Sequence, residues 1–337
     1  MLNIPKISVI IPTFNEEKYI AVCLDSILAS DYIHEKMEIF IVDGMSKDGT
    51  RKIVQDYQHQ YSFIKLLENE QRHTPVGMNL GIEASRGEFV FILSAHASYG
   101  VNYFTKLVEN IKSLDGDCVG GVLLTDVKNT NSKSSSIKEV LMHKFGVGNA
   151  LFRTGCDEVT EVDTVAFGCY RKSAFDKYGL FDAKLIRNQD IELNKRIVNG
   201  GGKIYLIPEV HCTYFARENL MDLAKNQYQN GFWNILTAYY TKILSSLSLR
   251  HFIPLIFVLS LLLPLLLSLV FPKILWVAFI SLVSYLSLVI IISFRLKNSS
   301  NSIMYLILSF LTLHFSYGLG SFMGIFSVFK KMIKGEK

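Results

Sequence analysis

Two long stretches in the last third of the chain are almost free of charge, and no other feature limits the possible folds so strongly. Between Ile253 and Phe294 the single charged side chain is Lys273, and the stretch Ile303–Phe329 contains none. A helix needs about 20 mostly apolar residues to cross a bilayer, and lipid admits only backbone that satisfies its own hydrogen bonds. We therefore predict a membrane region at residues 251–330, with helices at about 253–271, 274–294 and 303–329.

The N-terminal segment and the flanking charges indicate how this region is oriented. The first apolar run, Ile7–Ile11, is shorter than the roughly 7–15 residues of a signal-peptide core. We therefore expect a multi-pass protein of the inner (cytoplasmic) membrane whose polar domain stays in the cytoplasm. Three full crossings would put Lys330 and Lys331 on the far side, against the positive-inside tendency, so the sequence leaves open whether the third segment crosses.

Residues 1–232 predict an α/β domain. Strand-like apolar runs alternate with helical segments such as Thr50–Gln60, and five consecutive apolar residues, Phe89–Leu93, are typical of a strand buried on both faces. This alternation predicts a Rossmann-like, mostly parallel sheet with helices on both faces. Residues 233–250 repeat apolar side chains at spacings of three and four, which predicts an amphipathic interfacial helix; a core helix is the alternative. Residues 331–337 form a basic tail.

Two local patterns give further predictions. Asn15 precedes two glutamates and is a candidate N-cap for a helix that runs to about Ala29. The segment Lys128–Ser136 is rich in Lys, Asn, Ser and Thr, which predicts a mobile surface loop.

Composition excludes several classes of protein. The five cysteines are scattered and lack CxxC spacing, which argues against a disulfide framework or a zinc site and favours a reducing compartment. The net charge of +5 is too small and too dispersed to indicate a nucleic-acid partner.

Polar residues follow the first two predicted strands, where a nucleotide would bind. The loops Pro12–Glu16 and Asp43–Thr50 would lie side by side at the carboxyl edge of the sheet, the usual ligand site of open α/β folds. Asp43 can accept hydrogen bonds from a base, assisted by Glu16, while Pro12 shapes the loop. One Asp-Gly loop is usually only a turn, but two loops after consecutive strands favour a nucleotide pocket.

A histidine and an aspartate complete the candidate site. Ser94-Ala95-His96 follows the buried strand, and the neutral imidazole of His96 can bind Mn²⁺. His211, beyond another predicted strand, is a second candidate ligand. Each histidine is equally well explained as an ordinary loop residue. Asp190 begins a predicted helix and can take a proton from an attacking hydroxyl, or merely complement the helix dipole.

At these residues the chain resembles the family 2 glycosyltransferases, inverting enzymes of the GT-A fold. The matching segments are spread over roughly residues 5–235 and are, in chain order, Ser8–Glu16, Val42–Thr50, Asn79–Ala97 and Asn188–Asn194. With its membrane tail, the chain is most similar to the succinoglycan-type (ExoA-like) branch of bacterial polysaccharide enzymes. That branch uses nucleotide sugars, typically UDP-sugars, to extend lipid-linked oligosaccharides.

The resemblance implies a function and a set of site residues. It implies transfer of one sugar from a nucleotide-diphosphate sugar to a lipid-linked (polyprenyl) saccharide at the membrane, in bacterial exopolysaccharide biosynthesis. It implies that Asp190 is the general base and that a divalent metal, Mn²⁺ or Mg²⁺, lies near His96, with His211 as a further ligand. The donor contacts that it implies are Pro12, Thr13, Glu16, Asp43, Gly44 and Ser94.

Two departures from the family pattern keep alternatives open. Ser94 and His96 occupy the Asp-x-Asp metal motif, so no carboxylate remains there, and a catalytically silent binding or assembly module is one alternative. Processive synthases carry Gln-x-x-Arg-Trp, whereas Gln227 and Trp233 lie at a different spacing, which favours addition of a single sugar. Transfer to polyprenyl phosphate itself is the other alternative.

Overall fold

The structure is a computed structural model that describes residues 4–242 and 251–334, and it contains one mixed sheet. The strands are β1 (Ile7–Thr13), β2 (Met37–Asp43), β3 (Ile64–Glu68), β4 (Phe89–Ile92), β5 (Ala97–Tyr99), β6 (Cys118–Asp126), β7 (Thr160–Glu161), β8 (Cys169–Arg171) and β9 (Ile204–Phe215). The α-helices are α1 (Ile20–Leu28), α2 (Thr50–Gln60), α3 (Thr74–Ala84), α4 (Tyr103–Ser113), α5 (Ser132–Met142), α6 (Lys144–Val147), α7 (Leu151–Thr154), α8 (Lys172–Tyr178), α9 (Gln189–Asn199), α10 (Leu220–Thr241), α11 (Ile253–Leu267), α12 (Leu275–Leu296) and α13 (Ile303–Lys334).

The sheet has a parallel half and an antiparallel half. The strand order is β3-β2-β1-β4-β8-β6-β9-β5, with β7 paired to β9. β3, β2, β1 and β4 run parallel, whereas β8 is antiparallel to β4. The predicted α/β fold is therefore confirmed, although the sheet is mixed because the later strands return in the opposite direction. The parallel half brings the carboxyl ends of β1, β2 and β4 to one edge.

Apolar side chains on both faces of the sheet explain the continuous apolar runs. Successive residues of a strand point to opposite faces, and in β4 Phe89 and Phe91 join one core cluster while Val90 and Ile92 join the other. α1 and α4 cover the first face, and α3, α8 and α9 cover the second. The prediction of helices on both faces is confirmed.

The loop after β1 differs from the predicted helix cap. Asn15 adopts the left-handed conformation (φ 54°), and its Oδ1 accepts a hydrogen bond from the backbone N–H of Lys47 at 2.9 Å. α1 begins at Ile20, with Tyr19 at its N-cap position. The prediction of Asn15 as the cap was wrong because that side chain binds the neighbouring strand-end loop instead.

The polar segment 128–136 is not simply a loop. α5 begins at Ser132, and the side chain of Asn131 accepts hydrogen bonds from the N–H groups of Lys133 and Ser134 in a capping box. The helix then buries Ser134 and Ser136. The predicted mobile loop was wrong for these residues because the cap and tertiary burial outweigh a polar composition.

The chain divides into two compact units. The sheet unit comprises Met1–Leu124 and Leu151–Phe215, and the helical unit comprises Thr125–Ala150 and Ala216–Lys337, as far as each is described. The predicted boundary at residue 232 falls inside α10. The predicted interfacial helix, 233–250, coincides with the end of α10 up to Thr241, and residues 243–250 lie outside the described residues.

Within the helical unit, glycines allow α10 and α13 to pack closely. A methyl group added to Gly231 of α10 would collide with the carbonyl oxygen of Tyr317, and one added to Gly320 of α13 would collide with that of Tyr228. Small residues let helix backbones approach in this way. The described part of α10 therefore packs on α13.

The helical unit also contains the apolar segments. In the described part of the chain, Pro272–Leu296 and Ile303–Lys334 are long and apolar enough to cross a membrane, judged by length and composition. Ile253–Leu267 is a shorter apolar helix. α12 exposes large side chains such as Trp276 and Phe279, as a lipid-facing helix does.

Candidate functional site

One cavity lies at the carboxyl ends of the parallel strands in the sheet unit. Its volume is about 300 Å³, at the lower end of the range for ligand pockets. The loops after β1, β2 and β4 and the start of α9 all contribute to its wall. Of the predicted site residues, those that line it are Pro12, Thr13, Glu16, Gly44, Ser94, His96 and Asp190.

Reciprocal hydrogen bonds tie the first two strand-end loops together. The backbone N–H of Asn15 donates to Ser46 Oγ at 2.8 Å, and that of Glu16 donates to Thr50 Oγ1 at 2.7 Å. The amide of Gly44 donates to the carbonyl oxygen of Thr13 at 2.8 Å. The sequence indicated two neighbouring loops, and the structure shows that they form one hydrogen-bonded rim of the cavity.

Asp43 lies between two lining residues, Val42 and Gly44, with its own side chain fully buried. Its Oδ2 accepts a hydrogen bond from the amide of Ser46 at 3.0 Å and lies 3.7 Å from Nε of Arg51. Its Oδ1 is buried and has no hydrogen-bond partner in the described structure. Because a buried acceptor without a donor is costly, this oxygen is suited to a ligand N–H.

His96 is oriented by a carboxylate. Its Nδ1 lies 2.9 Å from Glu16 Oε1, and its ring packs edge-on against Tyr214, with the centroids 5.1 Å apart. A proton on Nδ1 that donates to Glu16 leaves the lone pair of Nε2 free. This is the arrangement by which carboxylates orient metal-binding histidines.

The donor set fits a metal shared with a ligand. Among the described residues, no group of three or more His, Cys, Asp or Glu side chains lies close enough to hold an ion. His96 with Glu16 behind it supplies one oriented nitrogen, and Ser94 contributes only a weak hydroxyl donor. A divalent ion held by diphosphate oxygens needs few protein ligands, so these residues fit such an ion and do not form a complete metal site alone.

The structure does not bring His211 to this cavity. His211 is exposed on β9, and its carbonyl oxygen accepts a hydrogen bond from Gly100 at 3.3 Å. Antiparallel pairing places Tyr214, three residues further along β9, opposite Ala97 next to His96. The pairing register therefore sets His211 about 10 Å along the strand from that position, at roughly 3.4 Å per residue.

Asp190 lies half-buried in the first turn of α9, where it lines the cavity. Burial raises the pKa of its carboxyl, while the N–H of Ile191 and the charge of Arg153 oppose that rise. The adjacent Gln189 has a buried Oε1 without a partner among the described residues. A carboxylate with a raised pKa at a cavity wall is suited to accept a proton.

Sequence reasoning assigned no role to several lining residues. Asn69 and Arg72, after β3, line the cavity, and Arg72 has a left-handed backbone (φ 61°). Beside the end of β4, where the N–H of Ile92 donates to the carbonyl oxygen of Gly168, the segment Val165–Gly168 lines the cavity, and Phe167 in it also has positive φ (52°). No periodicity in the sequence marks these backbone conformations.

The family described as Glycosyl transferase family 2 matches residues 8–179, just over half of the chain. The chain is 31% identical over 233 residues to the dolichyl N-acetyl-alpha-D-glucosaminyl phosphate 3-beta-D-2,3-diacetamido-2,3-dideoxy-beta-D-glucuronosyltransferase of Methanococcus voltae, covering 67% of this chain and 71% of that protein. It is 26% identical over 218 residues to the succinoglycan biosynthesis protein ExoA of Rhizobium meliloti, covering 64% of each.

Two solved structures share the fold. The mannosyltransferase PcManGT from Pyrobaculum calidifontis, in complex with GDP-Man and Mn²⁺, has a TM-score of 0.57 at 16% identity and covers 100% of this chain and 89% of its own. S. aureus TarS in complex with UDP-GlcNAc has a TM-score of 0.55 at 17% identity and covers 98% and 92%. The fold of the chain is therefore that of GT-A proteins.

Proposed function

Because this chain belongs to glycosyltransferase family 2, we propose that it transfers a single sugar from a UDP-sugar to a lipid-linked saccharide, with inversion at the anomeric carbon. The observation that carries the proposal is that four separate segments meet around one cavity. The residues that these segments supply there are Glu16, Gly44, His96 and Asp190.

The loops after β1, β2 and β3 form the nucleotide end of the site. Asp43 has one carboxylate oxygen without a hydrogen-bond partner among the described residues, which matches the N–H group of a uracil ring. Thr13 and Gly44 line the same end, and the cation of Arg72 can pair with phosphate oxygens. The complex of the TarS fold relative with UDP-GlcNAc supports a uridine nucleotide.

His96 is the residue that would bind a metal ion next to the diphosphate of the donor. Its Nε2, with Glu16 behind Nδ1, would hold a divalent ion, Mn²⁺ or Mg²⁺, that is also bound by the donor. When bound, such an ion supplies charge neutralisation on the departing diphosphate. The Mn²⁺ in the PcManGT structure supports this reading.

Asp190 performs the proton transfer. Its carboxylate takes the proton of an acceptor hydroxyl, and the hydroxyl oxygen attacks the anomeric carbon from the side opposite the diphosphate. The bond from that carbon to the diphosphate oxygen breaks, and its electron pair leaves with the nucleoside diphosphate. The raised pKa of Asp190 makes its carboxylate a stronger base than that of an exposed aspartate.

The relatives support the choice of acceptor, and the helical unit supports the cellular location. The M. voltae relative is named for a dolichyl phosphate that already carries a sugar, which favours a lipid-linked saccharide over bare polyprenyl phosphate. Two apolar helices support membrane attachment. We place the protein in the cytoplasmic membrane as a multi-pass protein, with the catalytic domain (residues 1–232) on the cytoplasmic side.

A panel of labelled nucleotide sugars, added to membranes that contain the full chain, tests this function. We expect one UDP-sugar to label a lipid product whose mass shows one added sugar with inverted anomeric configuration. A product with one sugar on a single phosphate would instead identify polyprenyl phosphate as the acceptor. Failure of every donor, together with no calorimetric binding of UDP and Mn²⁺, would support the silent binding module.

A further inference from the structure

Asn69, directly after β3, carries a buried amide that the reaction scheme leaves without a role. Only 3% of the residue is exposed, and it lines the cavity. Its Oδ1 is buried and has no hydrogen-bond partner among the described residues. An acceptor that is removed from water without gaining a donor is unfavourable, so this atom at a cavity wall is a candidate for ligand binding.

The other polar groups of Asn69 are used within the protein. Its backbone N–H donates to the carbonyl oxygen of Asp43 at 2.8 Å, and its own carbonyl oxygen accepts from the N–H of Arg72 at 3.0 Å. Its Nδ2 donates to the carbonyl oxygen of His73 at 2.8 Å. Because a carbonyl oxygen can only accept, this last bond fixes which side-chain atom is the nitrogen. Oδ1 is therefore the atom that is left for a ligand.

The strand order places Asn69 at the base end of the site. β3 is the outermost strand of the parallel half, and its last residue, Glu68, pairs with Asp43 at the end of β2. His96, which we assign to the diphosphate end, follows β4 on the other side of β1. Since the ribose separates the base from the diphosphate in every nucleoside diphosphate, the end of the cavity next to β3 is the end that receives the base.

Two buried acceptors without donors therefore belong to adjacent strand ends at this place, Asn69 Oδ1 and Asp43 Oδ1. Uracil presents a ring N–H (N3), and guanine presents a ring N–H (N1) beside its amino group, whereas cytosine presents a lone pair at N3. One N–H can serve two acceptors in a three-centre hydrogen bond. A pair of acceptors attracts an N–H edge and repels a lone pair, which is discrimination by an unfavourable contact with the wrong ligand.

We propose that Asn69 is a specificity-determining residue whose Oδ1, together with Asp43, reads the ring N–H of the donor base and excludes cytosine nucleotides. This inference rests on the proposed nucleotide end of the site. Gly77 of α3 leaves room for the amide, because a methyl group added to it would lie 3.0 Å from Asn69 Nδ2 and 3.4 Å from Val42 Cγ1. Gly77→Ala therefore displaces the amide from behind without touching the ligand.

Calorimetry on the full chain in detergent, with Mn²⁺ and with UDP, CDP or GDP, tests the inference. We expect the wild type to bind UDP at least about 10-fold more tightly than CDP. Asn69→Leu should reduce that preference by about 10-fold, by weakening UDP and not CDP. Asn69→Asp is the matched variant: it also loses the Nδ2 bond to His73 but keeps an acceptor oxygen, so it should retain the preference.

Equal losses of UDP and CDP affinity in both Asn69 variants would show that the residue only folds its loop, and unchanged UDP affinity in Asn69→Leu would also overturn the inference. The ratio of the two affinities does not depend on how much protein folds. If Asn69→Leu does not accumulate, Gly77→Ala should narrow the ratio in its place, and an unchanged ratio there counts against the inference. A wild-type preference for GDP over UDP that Asn69→Leu removes would keep the inference and overturn the uridine assignment, which separates the two failures.

Discussion

One histidine in each unit, His96 in the sheet unit and His314 in the helical unit, illustrates opposite uses of an imidazole. In the sheet unit His96 uses Nδ1 on Glu16, and no described residue hydrogen-bonds its Nε2. In the helical unit both ring nitrogens of His314 are used: Nδ1 with Tyr285 Oη at 2.9 Å and Nε2 with the carbonyl oxygen of Phe145 at 2.9 Å. The first arrangement leaves a donor atom for a ligand, and the second completes a packing contact.

Buried polar atoms without partners show the same contrast. In the described part of the helical unit, the buried polar atoms without a hydrogen-bond partner are three hydroxyl oxygens. In the sheet unit, such atoms include some from charged and amide side chains. Those in or next to the cavity wall belong to Asp43, Asn69 and Gln189. Because unsatisfied charged and amide groups are the most costly, their concentration there indicates binding rather than stability.

The largest effect is expected from replacing His96, whose Nε2 is the nitrogen that we assign to the metal. His96→Ala should weaken Mn²⁺-dependent binding of a UDP-sugar by about 100-fold, because the oriented metal ligand is lost. Calorimetry with and without Mn²⁺ measures this. His211→Ala, which removes an exposed histidine outside the cavity, is the matched control, and weakened binding in that variant would show that the cavity has been assigned incorrectly.

The second-largest effect is expected from disturbing the close packing of α10 on α13. Gly320→Val should lower the free energy of unfolding by about 1–3 kcal/mol, since its side chain would enter the backbone of α10 near Tyr228. Thermal unfolding in detergent measures the loss. Leu319→Val alters an exposed neighbour and should change little, so equal melting temperatures for the two variants would refute the packing.

The satisfied histidine should matter for stability alone. His314→Leu should cost about 1–3 kcal/mol, because it leaves the Tyr285 hydroxyl and the Phe145 carbonyl without their shared partner. Tyr285→Phe, which removes one hydroxyl, should cost less. UDP-sugar affinity per folded molecule is expected to stay at the wild-type value, and a fall comparable to that of His96→Ala would erase the contrast between the units.

The smallest expected effect is a gain in stability when Asp190 is replaced. The pKa of Asp190 is raised in the folded state, so its ionisation at neutral pH opposes folding, and that penalty disappears as the pH falls below the folded-state pKa. Asp190→Asn should therefore raise the melting temperature slightly at pH 7.5. The gain should shrink as the pH is lowered, and a clear loss of stability at pH 7.5 would contradict this sign.

Much of the parallel half of the sheet was predictable because burial on both faces favours runs of apolar residues in the strands. α2 was predicted with the bounds that the structure has, Thr50–Gln60. The strand-end loops followed from the same reasoning, and seven of the predicted site residues line the cavity. Family membership, predicted from four ordered motifs, is confirmed.

The errors share a physical cause, which is that local sequence does not show which distant residues a side chain or strand will contact in the folded chain. Asn15 looked like a helix cap but bonds across to Lys47. His211 followed a strand-like run, yet the antiparallel register with β5 sets it away from His96.

The most direct test of the account measures donor binding and sugar transfer on the same preparation of Asp190→Asn, with Asp176→Asn, an exposed aspartate on α8, as the control. We predict that Asp190→Asn binds the UDP-sugar with wild-type affinity but transfers at least about 100-fold more slowly, while Asp176→Asn matches the wild type in both. Wild-type transfer by Asp190→Asn would contradict the account.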